Sequence, residues 1–380
     1  MVKLDMKRNF GRIIAYWMLF VALSICLVNC GHKKECKQNN LQASVVKIND
    51  FGGAVLNLSP DDMAKAGFDF GDVLQVEFND TVVNVPYFDG YYAKTGDLQL
   101  TSYQSTEDIE FTSQSCGLSP DLKVGVGTEV CITMHQKAGA IALQDAMSMR
   151  YSDDIANYGN DTAKFANVRV VQLGKMAPNR LYRSASPFDN SHNRPAYVSA
   201  YMQKCGVACV LDLADNESKV QSLLPELPAY SKQMVEEGKV VFCKLNPNYR
   251  SNETNAKMLR GFMSMVEKPG PYLIHCLEGK DRTGYACAIL EALCGATYDE
   301  IVNDYLITYD NYFGINPQNK PDVCKLILDL RLNNALMFFC GVQDAASLRT
   351  IDLETAIRQF MRKNGLTDAE IDRLQNALCD

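Results

Sequence analysis

Residues 272–293 read YLIHCLEGKDRTGYACAILEAL, and this stretch decides the fold of the second half of the chain. It opens with a short aliphatic run, YLIH, that is typical of a buried strand, and it closes with the helical pattern TGYACAILEAL. Cys276 and Arg282 lie between the two, with five residues separating them. The stretch therefore predicts a strand, a tight loop and a helix that follow one another directly.

The spacing of Cys276 and Arg282 suits the binding of a single phosphate group. The intervening residues allow the backbone to curl, so that the amide groups of residues 277–282 can point at one anion. The N-terminus of the following helix favours negative charge at the same place. That field also stabilises a thiolate at Cys276, and the thiolate is the nucleophilic form of cysteine. Arg282 can bind two phosphate oxygens at once through its planar guanidinium group.

Other residues around the loop have expected supporting roles. Gly279 provides a backbone conformation that most residues avoid, and Thr283 can donate a hydrogen bond to the sulfur of Cys276. We expect His275 to orient the loop, and Arg183 to brace either the loop or the phosphate unless it only forms a structural salt bridge. The predicted phosphate-binding residues are Leu277, Glu278, Gly279, Lys280, Asp281, Arg282 and Thr283.

The decapeptide HCLEGKDRTG, at residues 275–284, resembles the HCxxGKDRTG signature of the atypical bacterial tyrosine phosphatases, a family with dual protein and phosphoinositide activity. The resemblance extends over roughly residues 175–312. Within it, residues 180–185 (RLYRSA) resemble the family's lyRS segment, and residues 209–213 (CVLDL) resemble its viDLR strand, although Ala214 replaces the arginine. The resemblance implies the tyrosine phosphatase fold, a phosphocysteine intermediate, and neither a metal nor a cofactor.

The general acid has candidates at two positions. A leaving alkoxide or phenoxide needs a proton, which a carboxylic acid usually supplies. Asp281 lies inside the loop, in the KDR triplet for which an acid role is proposed in the family, whereas Asp212 and Asp215 follow a predicted strand, where such enzymes often carry a mobile aspartate. The sequence leaves both positions open. Lys280 adds a second cation at the rim, which suits a highly phosphorylated or lipid-like substrate unless it is only a solvated surface lysine.

The second half of the chain, residues 171–380, is predicted to be an α/β domain. Aliphatic runs alternate with helical patterns, which favours a largely parallel central sheet flanked by helices. A capping box from Thr297 to Glu300 predicts a further helix that reaches about Tyr309, and the tail from Asp322 onwards is predicted to be helical. Strands are predicted at residues 209–213, 240–245 and 272–275, and helices at residues 195–204, 255–267 and 283–293.

The first half, residues 43–170, is predicted to be mainly β and to form a small closed barrel, since closure removes exposed strand edges. Two segments of alternating aliphatic residues support this, and both follow a glycine and a polar residue, which indicates a weak internal duplication. Residues 66–78 (AGFDFGDVLQVEF) resemble strands in the C-terminal barrel of SAM hydroxide adenosyltransferases, and we infer no activity from that short match. We interpret the barrel as a binding or spacing domain. The alternating residues are Leu74, Val76 and Phe78, and then Val130, Ile132 and Met134.

The first thirty residues are typical of an export signal. Four cations precede an uncharged apolar run at residues 13–29, which is the layout of a signal peptide or a short signal anchor. The run ends at residues 27–31 (LVNCG), which resemble a bacterial lipobox with Cys30 as the lipidated residue, except that Asn29 stands where a small residue is expected. A lipoprotein, a signal anchor and plain secretion are all open, and each places the body of the chain outside the cytoplasm. Residues 31–42 are predicted to be a polar tether.

The bulk composition is that of an ordinary globular chain with two domains. The 380 residues carry a formal net charge of −7, which argues against nucleic acid as a partner. Fourteen cysteines in an exported chain normally suggest disulfides. Several of them lie at helical spacing, however, so we expect mostly free thiols, with one or two bridges left open. The spacing gives no zinc-binding pattern.

The sequence thus indicates a cysteine-dependent phosphatase, most simply a tyrosine or dual-specificity protein phosphatase. A phosphoinositide or inositol-phosphate phosphatase is the rival, because phosphoproteins are less common outside the cell and Lys280-Asp281 resembles the loops of lipid-directed phosphatases. A non-catalytic phosphate-binding module is the alternative outside enzymes, and cell-surface attachment by the barrel is a third. The expected partners are a phosphorylated protein, phosphoinositide or inositol-phosphate substrate, and a membrane through the N-terminal segment.

Overall fold

The structure of this protein is a computed structural model. The residues that it describes are 40–102, 108–113 and 117–380. The predicted signal segment with Cys30 lies outside them, and so does most of the predicted tether. Leu41 and Gln42, which the tether prediction includes, instead begin the first strand. Within the described ranges, no helix is long and apolar enough to cross a membrane.

The described part of the first unit contains a closed barrel of seven strands, which confirms the predicted barrel. The strands are β1 (Leu41–Ile48), β2 (Ala54–Leu56), β3 (Val73–Phe78), β4 (Thr81–Phe88), β5 (Leu98–Thr101), β6 (Ile109–Ser113) and β7 (Glu129–Gln136). Their order around the barrel is β1-β2-β6-β5-β4-β3-β7, and β7 pairs with β1 to close it. The pair β4 and β5 is parallel, and the other neighbouring pairs are antiparallel.

The two segments with alternating aliphatic residues are neighbours in this barrel. Val76 of β3 pairs with Ile132 of β7, and Phe78 pairs with Val130, and all four side chains are buried. Phe111 of β6 packs against Phe78, with 5.4 Å between the ring centroids. The period-two pattern therefore predicts the inward face of both strands, and their shared face forms the barrel core.

Met134 departs from that pattern, because 37% of it is exposed. It pairs with Leu74 and so faces the same side of the sheet. Its place next to the register shift at the end of β7 explains the exposure, since the strand there leaves the packed interior.

The chain after the barrel also differs from the prediction of a β domain that extends to residue 170. The chain divides into two compact units after Ser148. The first unit also contains two helices, α1 (Pro60–Lys65) between β2 and β3 and α2 (Ile141–Met147) after β7. After Ser148 come α3 (Thr162–Phe165) and β8 (Arg169–Val171), and β8 pairs antiparallel with β9 (Leu181–Ser184) of the second unit.

The second unit is an α/β domain around a five-stranded sheet, as predicted. The remaining strands are β10 (Cys209–Asp212), β11 (Val240–Phe242) and β12 (Tyr272–His275). The order across the sheet is β11-β10-β12-β9-β8, with all pairs parallel except β8 and β9. His275 at the end of the central strand pairs with Asp212 on one side and with Ser184 on the other. The carboxyl ends of three parallel strands therefore meet at one edge of the sheet.

Helices cover both faces of this sheet, and the helix that follows β12 is buried all round. From Thr283 to Leu293 every residue of it is buried, which explains why its sequence shows no polar face. The tail after Asp322 is helical, as predicted, and it includes a five-residue π-helical segment, Leu328–Leu332. The helices are α4 (Pro195–Cys205), α5 (Glu217–Leu223), α6 (Ala229–Glu236), α7 (Asn252–Val266), α8 (Asp281–Leu293), α9 (Tyr298–Phe313), α10 (Pro321–Ile327), α11 (Asn333–Cys340), α12 (Leu353–Lys363) and α13 (Asp368–Cys379).

Most cysteines of the described residues carry free thiols. Cys131 in the barrel is disulfide-bonded. The described part of the chain contains no group of three or more histidine, cysteine or acidic side chains placed to hold a metal ion. The free cysteines are Cys205, Cys209, Cys243, Cys276, Cys287, Cys294, Cys324, Cys340 and Cys379.

Candidate active site

The candidate phosphate loop joins β12 to α8. It turns through consecutive bends at residues 277–280 and does not extend, and α8 begins directly afterwards. Cys276 follows β12 directly and is 3% exposed, and Arg282 lies in the first turn of α8. Among the described residues no side chain caps α8, so its first N–H groups stay available to an anion.

Gly279 is the loop position that tolerates no side chain. Its φ of +66° lies in the left-handed region that favours glycine. A Cβ atom there would lie 2.2 Å from the carbonyl oxygen of Ser184, which is backbone and cannot move aside easily. The absence of a side chain at Gly279 therefore lets the loop approach the end of β9 closely.

The loop is held from outside through its carbonyl groups. Arg183 is buried in β9 and donates from Nη2 to the Gly279 oxygen at 3.0 Å. Tyr312 of α9 donates to the Glu278 oxygen at 2.7 Å, and Asn167 donates to both oxygens at 3.3 Å. In a trans peptide the N–H points opposite to the C=O. Holding these carbonyls outward therefore turns the following amides toward the inside of the loop.

Asp304 of α9 fixes the orientation of Arg183. Its Oδ2 lies 2.5 Å from Arg183 Nη1, and its Oδ1 lies 2.8 Å from Arg169 Nε. Burial alone would raise the pKa of the Asp304 carboxyl, but the charges of Arg169 and Arg183 outweigh it and hold that pKa below its usual range. Burial, and then the charge of Asp304, raise the pKa of Glu291 well above its usual value. The Asp304 carboxylate lies between the guanidinium groups of Arg169 and Arg183.

His275 and Asp212 pair across β12 and β10, and His275 directly precedes Cys276. Both side chains are fully buried, and His275 Nε2 lies 3.9 Å from Asp212 Oδ2. His275 Nδ1 lies 3.1 Å from the carbonyl oxygen of Cys276, a position from which it orients the start of the loop. Asp212 Oδ1 accepts hydrogen bonds from the backbone of Ala214 and Asp215, so this carboxylate organises the turn after β10.

The three aspartates considered as general acid differ in access. Asp212 is buried, and burial raises the pKa of its carboxyl. Asp215 has a side chain that is 9% exposed and pairs with Lys219 at 2.8 Å. Asp281 has a side chain that is 34% exposed and lies 3.3 Å from Arg331 of the π-helical segment. Asp281 is thus the one of the three that combines a place in the loop with access to solvent.

The contacts of two further loop residues, Thr283 and Lys280, bear on their expected roles. Thr283 is buried, and its hydroxyl has no hydrogen-bond partner in the part of the chain that the structure describes, so the expected bond to the Cys276 sulfur is not formed. Lys280 is not a free surface lysine, because its Nζ lies 2.9 Å from Glu278 Oε2 and its side chain is 14% exposed.

Arg282 and several supporting residues complete the site. Arg282 Nη1 donates to the carbonyl oxygen of Leu245 at 3.3 Å, which holds the guanidinium from the loop after β11. The supporting residues Asn167, Arg169 and Tyr312 have no pattern in the sequence that marks them. Their roles come from long-range packing, and only the structure places them beside the loop.

Comparison with known protein families shows which family the chain belongs to. Residues 164–380, more than half of the sequence, match the model of the tyrosine phosphatase family. The chain belongs to this family. The match covers the loop and its supporting network, but not the barrel. The likeness of the barrel to SAM hydroxide adenosyltransferases and the dual-activity type of the phosphatase both stay predictions.

Two curated relatives are phosphatases by name. The triple specificity protein phosphatase PtpB of Mycobacterium tuberculosis is 27% identical over 139 residues, which are 32% of this chain and 49% of the relative. A protein of Cupriavidus necator named as a tyrosine-protein phosphatase is 29% identical over 209 residues, 46% of this chain and 70% of the relative. The chain thus spans about half the length of the first relative.

A solved structure, the core catalytic domain of the PP-IP phosphatase SIW14 from S. cerevisiae in complex with citrate, also aligns. It shares 19% sequence identity over 44% of this chain and 98% of that chain. The TM-score of this alignment is 0.25, which carries no argument about fold or function.

The role of Asp304 leads to a prediction about stability. Replacing Asp304 with Asn leaves Arg169 and Arg183 buried without a counter-charge, so we expect the free energy of unfolding to fall by about 3–5 kcal/mol. Urea denaturation of the full chain at pH 7 measures this. Because the folded-state pKa of Asp304 is depressed, its contribution is present above an unfolded pKa of about 4 and is lost as the pH falls below it. The difference between wild type and variant should therefore shrink below about pH 4.

The control is Glu267→Gln, which removes the exposed ion pair between Glu267 and Arg373. Exposed pairs contribute about 0–1 kcal/mol, so this variant should unfold close to wild type. Equal losses in the two variants would contradict the role given to Asp304.

Proposed function

We propose that the second unit hydrolyses phosphate monoesters through a phosphocysteine intermediate on Cys276. The observation that carries this proposal is the curled loop between β12 and α8, with the cysteine at its start and Arg282 in the first helical turn. Membership of the tyrosine phosphatase family supports it. The hydrogen bonds to the carbonyl groups of Glu278 and Gly279 support it as well, because they orient the following amide groups toward a bound anion.

The reaction has two displacements at phosphorus. In the first, the Cys276 thiolate attacks, a sulfur–phosphorus bond forms, and the bond to the leaving oxygen breaks with its electron pair moving to that oxygen. Asp281 gives the oxygen a proton. In the second, water attacks phosphorus and gives a proton to Asp281, and the sulfur–phosphorus bond breaks with its electron pair returning to sulfur. Arg282 and the loop amides stabilise the charge on the other phosphate oxygens in both steps.

We assign the general acid to Asp281 on grounds of access. A general acid must come within hydrogen-bond distance of the leaving oxygen, or reach it through one water. The Asp212 carboxylate is buried and bonded to backbone amides, and Asp215 is held by Lys219. Asp281 lies at the end of the loop, and its side chain is 34% exposed although it pairs with Arg331 at 3.3 Å.

The substrate that we propose is a phosphorylated tyrosine or serine/threonine side chain, as in a tyrosine or dual-specificity protein phosphatase. The name of the M. tuberculosis relative, a triple specificity protein phosphatase, supports a range that includes phosphoproteins. A phosphoinositide or inositol phosphate is the second candidate, because Lys280 places a second cation at the rim of the loop. Its pairing with Glu278 weighs against that candidate.

We also propose that the N-terminal thirty residues export the chain and that Cys30 anchors it to a membrane as a lipoprotein. The support is the order of cations, apolar run and cysteine in the sequence. The barrel then acts as a spacer or attachment domain.

Replacement of the nucleophile is the first test of the activity. Cys276→Ser should lower kcat on a small aryl phosphate by at least about 10³-fold, because a hydroxyl is a much weaker nucleophile than a thiolate. Binding of inorganic phosphate, measured by calorimetry, should persist. The matched control is Cys340→Ser, which alters a free thiol in α11 and should retain full turnover. Full activity in Cys276→Ser would disprove the mechanism.

The general acid is tested by the leaving group. Asp281→Asn should lower kcat by about 10²–10⁴-fold on an alkyl phosphate, whose alkoxide needs a proton, and far less on a nitrophenyl phosphate. Asp215→Asn makes the same chemical change outside the loop and should show no dependence on the leaving group. If the dependence appears in Asp215→Asn and not in Asp281→Asn, the acid is Asp215.

Localisation is tested by fractionation of cells that express the full chain. We expect the protein in the membrane fraction, and Cys30→Ser should release it if lipidation is the anchor. Retention of Cys30→Ser in the membrane would assign the anchor to the apolar run. Recovery of the wild type in the soluble cytoplasmic fraction would contradict export.

A further inference from the structure

The phosphate loop contains a carboxylate of its own. Glu278 lies two positions after Cys276, and its Oε2 is 2.9 Å from Lys280 Nζ, with side-chain exposures of 28% and 14%. A carboxylate at this place opposes the binding of anions. Its ion pair also neutralises the one loop lysine that could otherwise attract a second phosphate.

Three aromatic and polar residues hold Glu278 in this position. Tyr151 donates from its hydroxyl to Glu278 Oε1 at 3.1 Å, and Tyr312 donates to the Glu278 carbonyl oxygen at 2.7 Å. The two tyrosine rings stack with 5.0 Å between their centroids. His192 Nε2 lies 3.1 Å from the Tyr151 hydroxyl, and its Nδ1 lies 3.1 Å from Asp153. Glu278 cannot rotate away from Lys280 without losing the hydrogen bond from Tyr151.

Glu278 is charged in this environment. Burial alone would raise the pKa of its carboxyl, but the charge of Lys280 and the hydrogen bonds from Lys280 and Tyr151 outweigh burial and lower that pKa. Lys280 also lies 3.9 Å from Asp281, which pairs with Arg331. The charges of these four contacting side chains, Glu278, Lys280, Asp281 and Arg331, cancel one another.

We propose that Glu278 determines specificity by withholding Lys280 from the substrate, so that the site favours one isolated phosphate over several adjacent ones. The inference rests on the proposed phosphatase function. An isolated phosphate on a tyrosine needs only Arg282 and the loop amides. A phosphate on an adjacent carbon of an inositol ring would meet the Glu278 carboxylate and a lysine that is already paired. Tyr151 is a positioning residue that keeps Glu278 on Lys280.

The test compares two competitive inhibitors of phosphotyrosine-peptide turnover by the full chain: inositol hexakisphosphate and inorganic phosphate. The measured quantity is the Ki of inorganic phosphate divided by the Ki of inositol hexakisphosphate. Glu278→Gln keeps the size of the side chain and its bond to Tyr151 but removes the charge. We expect this ratio to rise about tenfold, and the rise should shrink at high salt because exposed charges are screened. Glu267→Gln, the matched control, should leave the ratio unchanged.

A double variant separates release of Lys280 from simple loss of repulsion. If Glu278 acts by withholding Lys280, the rise in the ratio caused by Glu278→Gln should fall below about threefold when Lys280→Gln is also present. An unchanged ratio in Glu278→Gln would overturn the proposal, and so would an equal rise in the double variant that also carries Lys280→Gln.

Tyr151→Phe tests the positioning role of Tyr151. This variant keeps the ring stacking but removes the hydroxyl, and it should raise the ratio less than Glu278→Gln does. No rise in the ratio would overturn the positioning role of Tyr151. Absence of phosphotyrosine and aryl phosphate turnover in the wild type would instead refute the proposed function.

Discussion

The buried ion pair between Arg183 and Asp304 is the constraint on which the site depends. Removing two such charges from water costs several kcal/mol each, and their attraction together with further hydrogen bonds offsets that cost. Arg169 binds the other carboxylate oxygen of Asp304, and the Gly279 carbonyl accepts a hydrogen bond from Arg183, so β9, α9 and the loop must adopt their places together. Arg183, Asp304 and Arg169 thus fix the conformation of the loop without needing to contact a phosphate. Its inner surface, which carries the amides, is left to the reaction.

The sequence predicts the part of the site that is local in the chain. The spacing of Cys276 and Arg282 and the strand and helix around them lie within a few residues, and each has a direct physical meaning. Asn167 and Arg169 lie more than a hundred residues before the loop that they support, directly or through Asp304, and nothing in their neighbourhood marks them. Access to solvent is equally invisible in a sequence. For this reason the proposal of Asp281 as the general acid draws on exposure in the structure and not on the sequence alone.

The barrel shows the same division between local and long-range information. Alternation along β3 and β7 predicts which residues face inward, because side chains on a strand alternate strictly. The register shift beside Met134 depends on the pairing of β7 with β3, and no local sequence pattern predicts it. The early end of the first unit has a similar cause. The strand β8 is short, and only its pairing with β9 assigns it to the sheet of the second unit.

The charges around the loop form two layers with different consequences. The inner layer, Arg183 with Asp304, has side chains that are 1% and 7% exposed, and it acts through geometry. The outer layer, Lys280 with Glu278 and Asp281 with Arg331, is 14–34% exposed and acts through its field on whatever approaches. Because water screens the outer layer, changes there alter binding by modest factors and differ between substrates. Changes in the inner layer deform the loop itself, and so they affect every substrate alike.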